Sequence, residues 1–179
     1  MTPQKKYIFY VIYSGKTAFN FKLPEGYHLK IWKPSIFKLP PKLLSRFRFI
    51  LWSIMHFLKL FNGPDYSIFL VYYNEKIIHY SGVLPKYFKY PFMDEKDIQI
   101  GPSWTQEEHQ RRGIASFVVS KIIEVYKKPG RRFWYITREE NIPSVDFIES
   151  IGFLKYGVGI KKNRFRIGGL SYFYITDKC

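Results

Sequence analysis

A chain of 179 residues, 46% of them hydrophobic, is long enough to fold as one compact domain with its own core. A net charge of +15, from 29 Lys and Arg against 14 Asp and Glu, excludes indifference to polyanions and points to an anionic partner: a phosphorylated small molecule, nucleic acid or an anionic membrane. The lone cysteine, Cys179, excludes an internal disulfide and a Cys-built metal site, and Met1 to Lys6 lack the make-up of a secretory leader, so a cytoplasmic protein without a metal is expected.

Tyr7 to Tyr13, β-branched and aromatic, reads as a strand that ends at Ser14-Gly15. Phe19 to Leu23 is a candidate short strand, and Tyr27 to Trp32 alternates as a further one. After Pro40-Pro41 a helix is expected from Lys42 to Phe61, stopped by Asn62-Gly63-Pro64. Leu43, Phe47, Ile50, Leu51, Ile54, Leu58 and Phe61 would form its core face. Trp52 and Met55, on the side of Arg48 and Lys59, make it apolar nearly all round. Its basic residues break the apolar run well short of a bilayer's thickness, which excludes a transmembrane span.

Ser67 to Tyr73 and Lys76 to Leu84 flank a turn at Asn74-Glu75 and read as a hairpin, and Lys96 to Thr105 as a further strand. Gly113 to Lys127 is the clearest helix. Ile114, Phe117, Val118, Ile122 and Val125 share one stripe, Ser116, Ser120, Lys121 and Glu124 lie off it, and Pro129-Gly130 ends it. Arg132 to Thr137 is a strand; Asn141 to Ile151 is a short helix with Asn141 as its N-cap and Gly152 beyond its end. Phe153 to Ile160 and Leu170 to Thr176 are closing strands, joined through the basic stretch Lys161 to Arg166. Strands and helices alternating around a mixed sheet make an α/β or α+β domain of three layers.

The most specific local feature is Gln110-Arg111-Arg112-Gly113-Ile114-Ala115, between a strand and the clearest helix. A helix N-terminus offers unpaired N–H groups and the positive end of the macrodipole, which suits a pyrophosphate. Gly113 leaves the backbone open to it, Ala115 keeps the first turn uncluttered, and Arg111 and Arg112 add charge. With its strand, Gln110-X-X-Gly113-X-Ala115 resembles the acetyl-CoA motif of the GNAT N-acetyltransferase superfamily. Asn141-X-X-Ser144 through Gly152-Phe153 resembles that superfamily's following segment, at the usual separation. The resemblance is strongest over residues 97 to 160.

The resemblance implies a three-layer α-β-α domain over 1–179, whose mixed, mostly antiparallel twisted sheet has about seven strands and about four helices. Residues 1–64 would supply N-terminal strands and an acceptor-side helix, and 65–179 the acetyl-CoA-binding core. It further implies that the strand before the loop splays from its neighbour at a bulge. There the backbone of Ser103, Trp104 and Thr105 would meet pantetheine and orient the thioester carbonyl. Gln110, Arg111, Arg112, Gly113, Ile114, Ala115 and Ser116 would surround the pyrophosphate, and the side chains of Asn141 and Ser144 would contact CoA.

Two positions depart from the family. A helix position that often carries a tyrosine acid is Ile148, and a strand position that carries a glutamate base in some members is Gln99. The candidate replacements are Asp97, two residues from Gln99 on the same strand face, and His79, whose imidazole titrates near neutrality. His109 would meet CoA or solvent, and Tyr172 and Tyr174 are further phenols. Basic residues from Lys30 to Arg48 and from Lys161 to Arg166 suit a small anionic acceptor such as an amino-sugar nucleotide of surface-polysaccharide synthesis. Two alternatives stand beside that reading: an enzyme seated on the membrane surface with a lipid-linked acceptor, and a non-catalytic module binding CoA or nucleic acid. No nucleic-acid motif organises the basic residues, and a monomer or a homodimer is expected.

Overall fold

The computed structural model describes residues 5–15, 21–34, 47–163 and 171–179. The candidate strand from Phe19 lies partly outside these residues, as do the first turn of the long helix expected from Lys42 and the stretch from Arg164 to Leu170. The elements are β1 (Lys6–Tyr13), β2 (Tyr27–Trp32), α1 (Phe47–Phe57), β3 (Ser67–Tyr73), β4 (Lys76–Pro85), β5 (Ile98–Thr105), α2 (Ile114–Val125), β6 (Arg132–Arg138), α3 (Ile142–Ser150), β7 (Leu154–Asn163) and β8 (Ser171–Lys178). They form one eight-stranded sheet in the order β2-β3-β4-β5-β6-β1-β7-β8. The pairing of β5 with β6 is parallel and the rest antiparallel.

Both sheet faces are covered, and the strand sequences record it. In β1, Ile8, Tyr10 and Ile12 enter one core cluster with Ile114, Val118 and Ile122 of α2 and Ile148 of α3. Phe9 and Val11, the alternate positions, enter a second cluster with Phe49, Trp52 and Met55 of α1. The result is the expected three-layer α-β-α arrangement, with α2 and α3 on one face and α1 on the other. β1 lies between β6 and β7, so the N-terminal segment is built into the middle of the sheet.

The face of α1 differs from the sequence expectation. Phe49, Trp52 and Met55 are buried, whereas Ile50, Leu51, Ile54 and Leu58 are exposed. In a helix apolar all round, hydrophobicity alone leaves the rotation undetermined; aromatic packing decides it, Phe49 meeting Trp52 and Tyr80 edge-on at 5.6 and 5.4 Å. The helix also stops before Asn62. Lys59 takes φ 54°, its N–H bonds to the His56 carbonyl, and the Leu60 N–H bonds to that of Met55, a Schellman closure with lysine in the left-handed position. In α2 the buried stripe includes Ser120, whose hydroxyl donates to the Phe117 carbonyl, while Val125 is exposed.

Candidate active site

Two bulges shape the centre of the sheet. Val71 faces His79 while Tyr72 faces Ile77, so Ile78 is the extra residue and the side-chain alternation of β4 is reset just before His79. Ser81 faces Ser103 while Val83 faces Ile100, which places a second bulge on β5 at Gly101-Pro102. β5 pairs with β6 only from Ile98 to Ile100, opposite Phe133 to Tyr135. Past the bulge β5 leaves β6, and the opening between them is a hollow of about 430 Å³.

Its walls bring together most of the residues singled out from sequence: Ser103, Trp104 and Thr105 on β5, Gln110, Arg111, Gly113, Ile114, Ala115 and Ser116 at the start of α2, and Asn141 and Ser144 at the start of α3. Gly113 is the N-cap of α2 at φ 75°, and no side chain caps that end. Arg111 is also left-handed, at φ 58°. Left-handed residues at alternate positions before an uncapped helix turn successive N–H groups into one concavity, an arrangement that attracts anions. A Cβ placed on Gly113 would meet nothing within 4 Å, so the space over the backbone is open. Gln110 braces the loop, its Nε2 donating to the Thr105 carbonyl at 3.1 Å. Asn141 occupies the N-cap position of α3, yet its side chain makes no capping bond.

Four of the residues singled out from sequence stand differently. Arg112 is not in the wall of the hollow; its Nη1 donates to the Tyr27 hydroxyl at 3.4 Å, and that hydroxyl shares a 2.7 Å hydrogen bond with His109 Nδ1. Asp97 also stands apart, immediately before β5. Its carboxylate accepts from Trp134 Nε1 and Arg132 Nε, each at 2.9 Å, and from the backbone N–H groups of Asp94 and Arg132. Those bonds tie β5 to β6 and leave a fully buried carboxylate committed to structure. Tyr172 and Tyr174 lie on the edge strand β8, with β7 and β1 between it and β6.

His79 does line the hollow, in a setting the sequence did not disclose. Its Nδ1 is 2.7 Å from Thr105 Oγ1, its Nε2 is 3.0 Å from Ser81 Oγ, and Ser81 Oγ is 2.8 Å from Ser103 Oγ. Burial pushes the imidazole pKa down to about 3, so the ring is neutral at physiological pH. A neutral imidazole donates from one nitrogen and accepts at the other, so the chain Ser103–Ser81–His79–Thr105 can be polarised in either direction.

Tyr135 is the functional candidate that sequence reading missed. It is the last β6 residue paired with β5, it lines the hollow, and burial raises its pKa against a smaller lowering from its hydrogen bond with Ser144. A strand-alternation pattern marks it only as core. The two departures behave as their chemistry requires: Ile148 is wholly buried, and Gln99 Nε2 donates to the Ile100 carbonyl at 2.7 Å while its Oε1 is buried without a partner.

A three-layer fold, splayed parallel strands and an anion-attracting helix start define the class of CoA-dependent acyltransferase folds. The chain belongs to the acetyltransferase (GNAT) family, whose model matches residues 34–153. No curated protein matches the sequence. Among solved structures it is similar to a tandem GNAT protein from the clavulanic acid biosynthesis pathway, with TM-score 0.60 and 14% identity over 87% of this chain and 51% of that one. A GCN5-related N-acetyltransferase from Sphaerobacter thermophilus gives TM-score 0.59 and 14% identity over 87% and 50%. An aminoglycoside N-acetyltransferase solved with CoA gives TM-score 0.50 and 11% identity over 85% of this chain and all of that one. The chain spans 60% and 62% of the length of two further matches, a functionally unknown protein from Staphylococcus epidermidis and a GNAT-family protein from Novosphingobium aromaticivorans. At these identities the likeness is one of fold.

Proposed function

We propose that this protein transfers the acetyl group of acetyl-CoA to the amino group of a small anionic acceptor, with amino-sugar nucleotides as the first class to test. The observation that carries the proposal is the uncapped N-terminus of α2, with Gly113 in the left-handed region, opening into the gap between β5 and β6. Acetyl-CoA supplies an acyl thioester and a diphosphate. The N–H groups from Gly113 to Ser116 and the Arg111 guanidinium hold the diphosphate, and the unpaired end of β5 from Ser103 to Thr105 offers backbone groups to the pantetheine amides.

Proton handling falls to groups in the hollow, not to Asp97. Ser103 and Thr105 present hydroxyls at the two ends of the chain through His79. A proton taken at one end from the attacking nitrogen is matched by one released to solvent at the other as the imidazole changes tautomer. Tyr135, held protonated by burial, donates the proton the leaving sulfur requires. The net charge of +15 supports an anionic acceptor over a neutral one.

Free thiol release from acetyl-CoA, measured against amino-sugar nucleotides, amino-sugar phosphates and neutral amines, tests the reading. Turnover that favours the anionic amines is expected, with Tyr135→Phe lowering kcat by roughly 10²-fold while CoA affinity stays as it was. No turnover with any acceptor, despite CoA binding, would leave a binding module, the reading that Ile148 and Gln99 favour.

A further inference from the structure

The reversed face of α1 leaves a feature that acyl transfer does not use. Ile50, Leu51, Ile54, Phe57 and Leu58 are 41%, 42%, 48%, 44% and 64% exposed, and Leu60 just beyond is 53% exposed. At 100° per residue the four helical positions, with Leu58 continuing the last turn through its N–H bond to the Ile54 carbonyl, fall within an arc of about 120°, opposite Phe49, Trp52 and Met55. Scattered exposed apolar residues are ordinary, but contiguous apolar patches on soluble chains mark interaction sites, and these residues lie along one side of a single helix.

Charge chooses the occupant. Between Gly26 and Pro64 every charged residue is Lys or Arg, and exposed Lys33 and Lys59 are among them. A second copy of the chain would bring another +15 body against this face, which like-charge repulsion opposes. An anionic lipid surface takes the apolar stripe into its headgroup and acyl boundary and attracts the exposed Lys59 at the end of the helix. No helix among the described residues is long and apolar enough to cross a membrane, so the contact is one of lying on the surface.

We infer that α1 is an interfacial helix that seats the protein on anionic bilayers through Ile50, Leu51, Ile54, Phe57 and Leu58. The seat is mechanically close to the hollow. Phe49 packs on Tyr80 at 5.4 Å, and Tyr80 stacks at 5.8 Å on Trp104, which lines the hollow. An α1 held in the headgroup layer is therefore linked to the wall of the hollow through the Phe49, Tyr80 and Trp104 rings. The seating does not depend on the chain being an acyltransferase, so loss of one reading leaves the other standing.

Flotation of the full chain with vesicles of phosphatidylcholine, alone or mixed with phosphatidylglycerol, tests it. The protein rises with the anionic vesicles and stays behind with the neutral ones. High salt weakens the attachment, and Ile54→Glu with Leu58→Glu lowers recovery at least roughly tenfold. Both positions are exposed, so circular dichroism and CoA binding of the variant match the parent. Should that pair fail to fold, Ile50→Gln with Leu51→Gln removes part of the same stripe and is expected to lower recovery in the same direction. A protein that floats with neither vesicle, or folded variants that float as well as the parent, overturns the inference. So does a dimer by light scattering that the substitutions split, since the stripe would then join two copies.

Discussion

Asp97 shows what residue type alone leaves open. A carboxylate two positions from a family base site invites a catalytic role, while burial and four hydrogen bonds favour a structural one. Asp97→Asn should therefore act on stability: thermal unfolding is expected to fall by roughly 3 kcal/mol, with the folded fraction keeping its turnover. Full stability combined with lost activity would return Asp97 to the catalytic machinery. His79 carries a second prediction. Its pKa is depressed in the fold to about 3 and is ordinary in the unfolded chain, so the unfolded state binds the extra proton between those values. Its contribution to stability is intact above pH ~6.5 and is lost as pH falls toward 3, by up to about 1.4 kcal/mol per pH unit. Comparing acid unfolding of the parent and His79→Gln measures that slope; a limb in the pH–rate profile near 6.5 that disappears in His79→Gln would contradict a neutral relay. The sequence named His79 and the phosphate loop because residue type and spacing carry that information. It could not name Tyr135 or the partners of His79, which depend on where two bulges turn the side chains.

At the level of elements, strands with alternating or fully apolar runs, and α2 with its clear stripe, were legible from the amino acids because one period dominates each. The α1 helix was not, since its apolar residues surround it and only contacts with Tyr80 and the rest of its cluster fix the rotation. Its end was hidden as well, because a lysine takes the left-handed closing position that glycine usually marks. Pairing of the edge strand β8 rests on close approach: a Cβ on Gly159 would overlap the Tyr174 carbonyl oxygen and press on Phe9. Gly159→Ala is expected to cost about 1–3 kcal/mol and to raise amide exchange in β8 before the rest of the sheet. Unchanged exchange in β8 would mean that the strand gives way freely.

Across the whole molecule, the order of elements along the chain concealed one arrangement. Strand β1 is remote in sequence from β6 and β7 yet lies between them, with Tyr10 of β1 donating a 2.6 Å hydrogen bond to Glu149 of α3. No local pattern encodes that insertion, because it is set by which sheet edge can accept a strand apolar on both faces. The excess positive charge is likewise a property of the entire chain, and it gives the phosphate-binding end of α2 and the stripe on α1 a common bias toward anionic partners. Everything proposed about chemistry depends on that helix end holding a diphosphate. Titration calorimetry with CoA, on the parent and on Gly113→Glu, measures this most directly. The parent should give a saturable heat, and the variant, which sets a carboxylate in the open space above the loop, should bind at least roughly tenfold more weakly while still folded. No heat from the parent, or matching isotherms from the two proteins, would contradict the account.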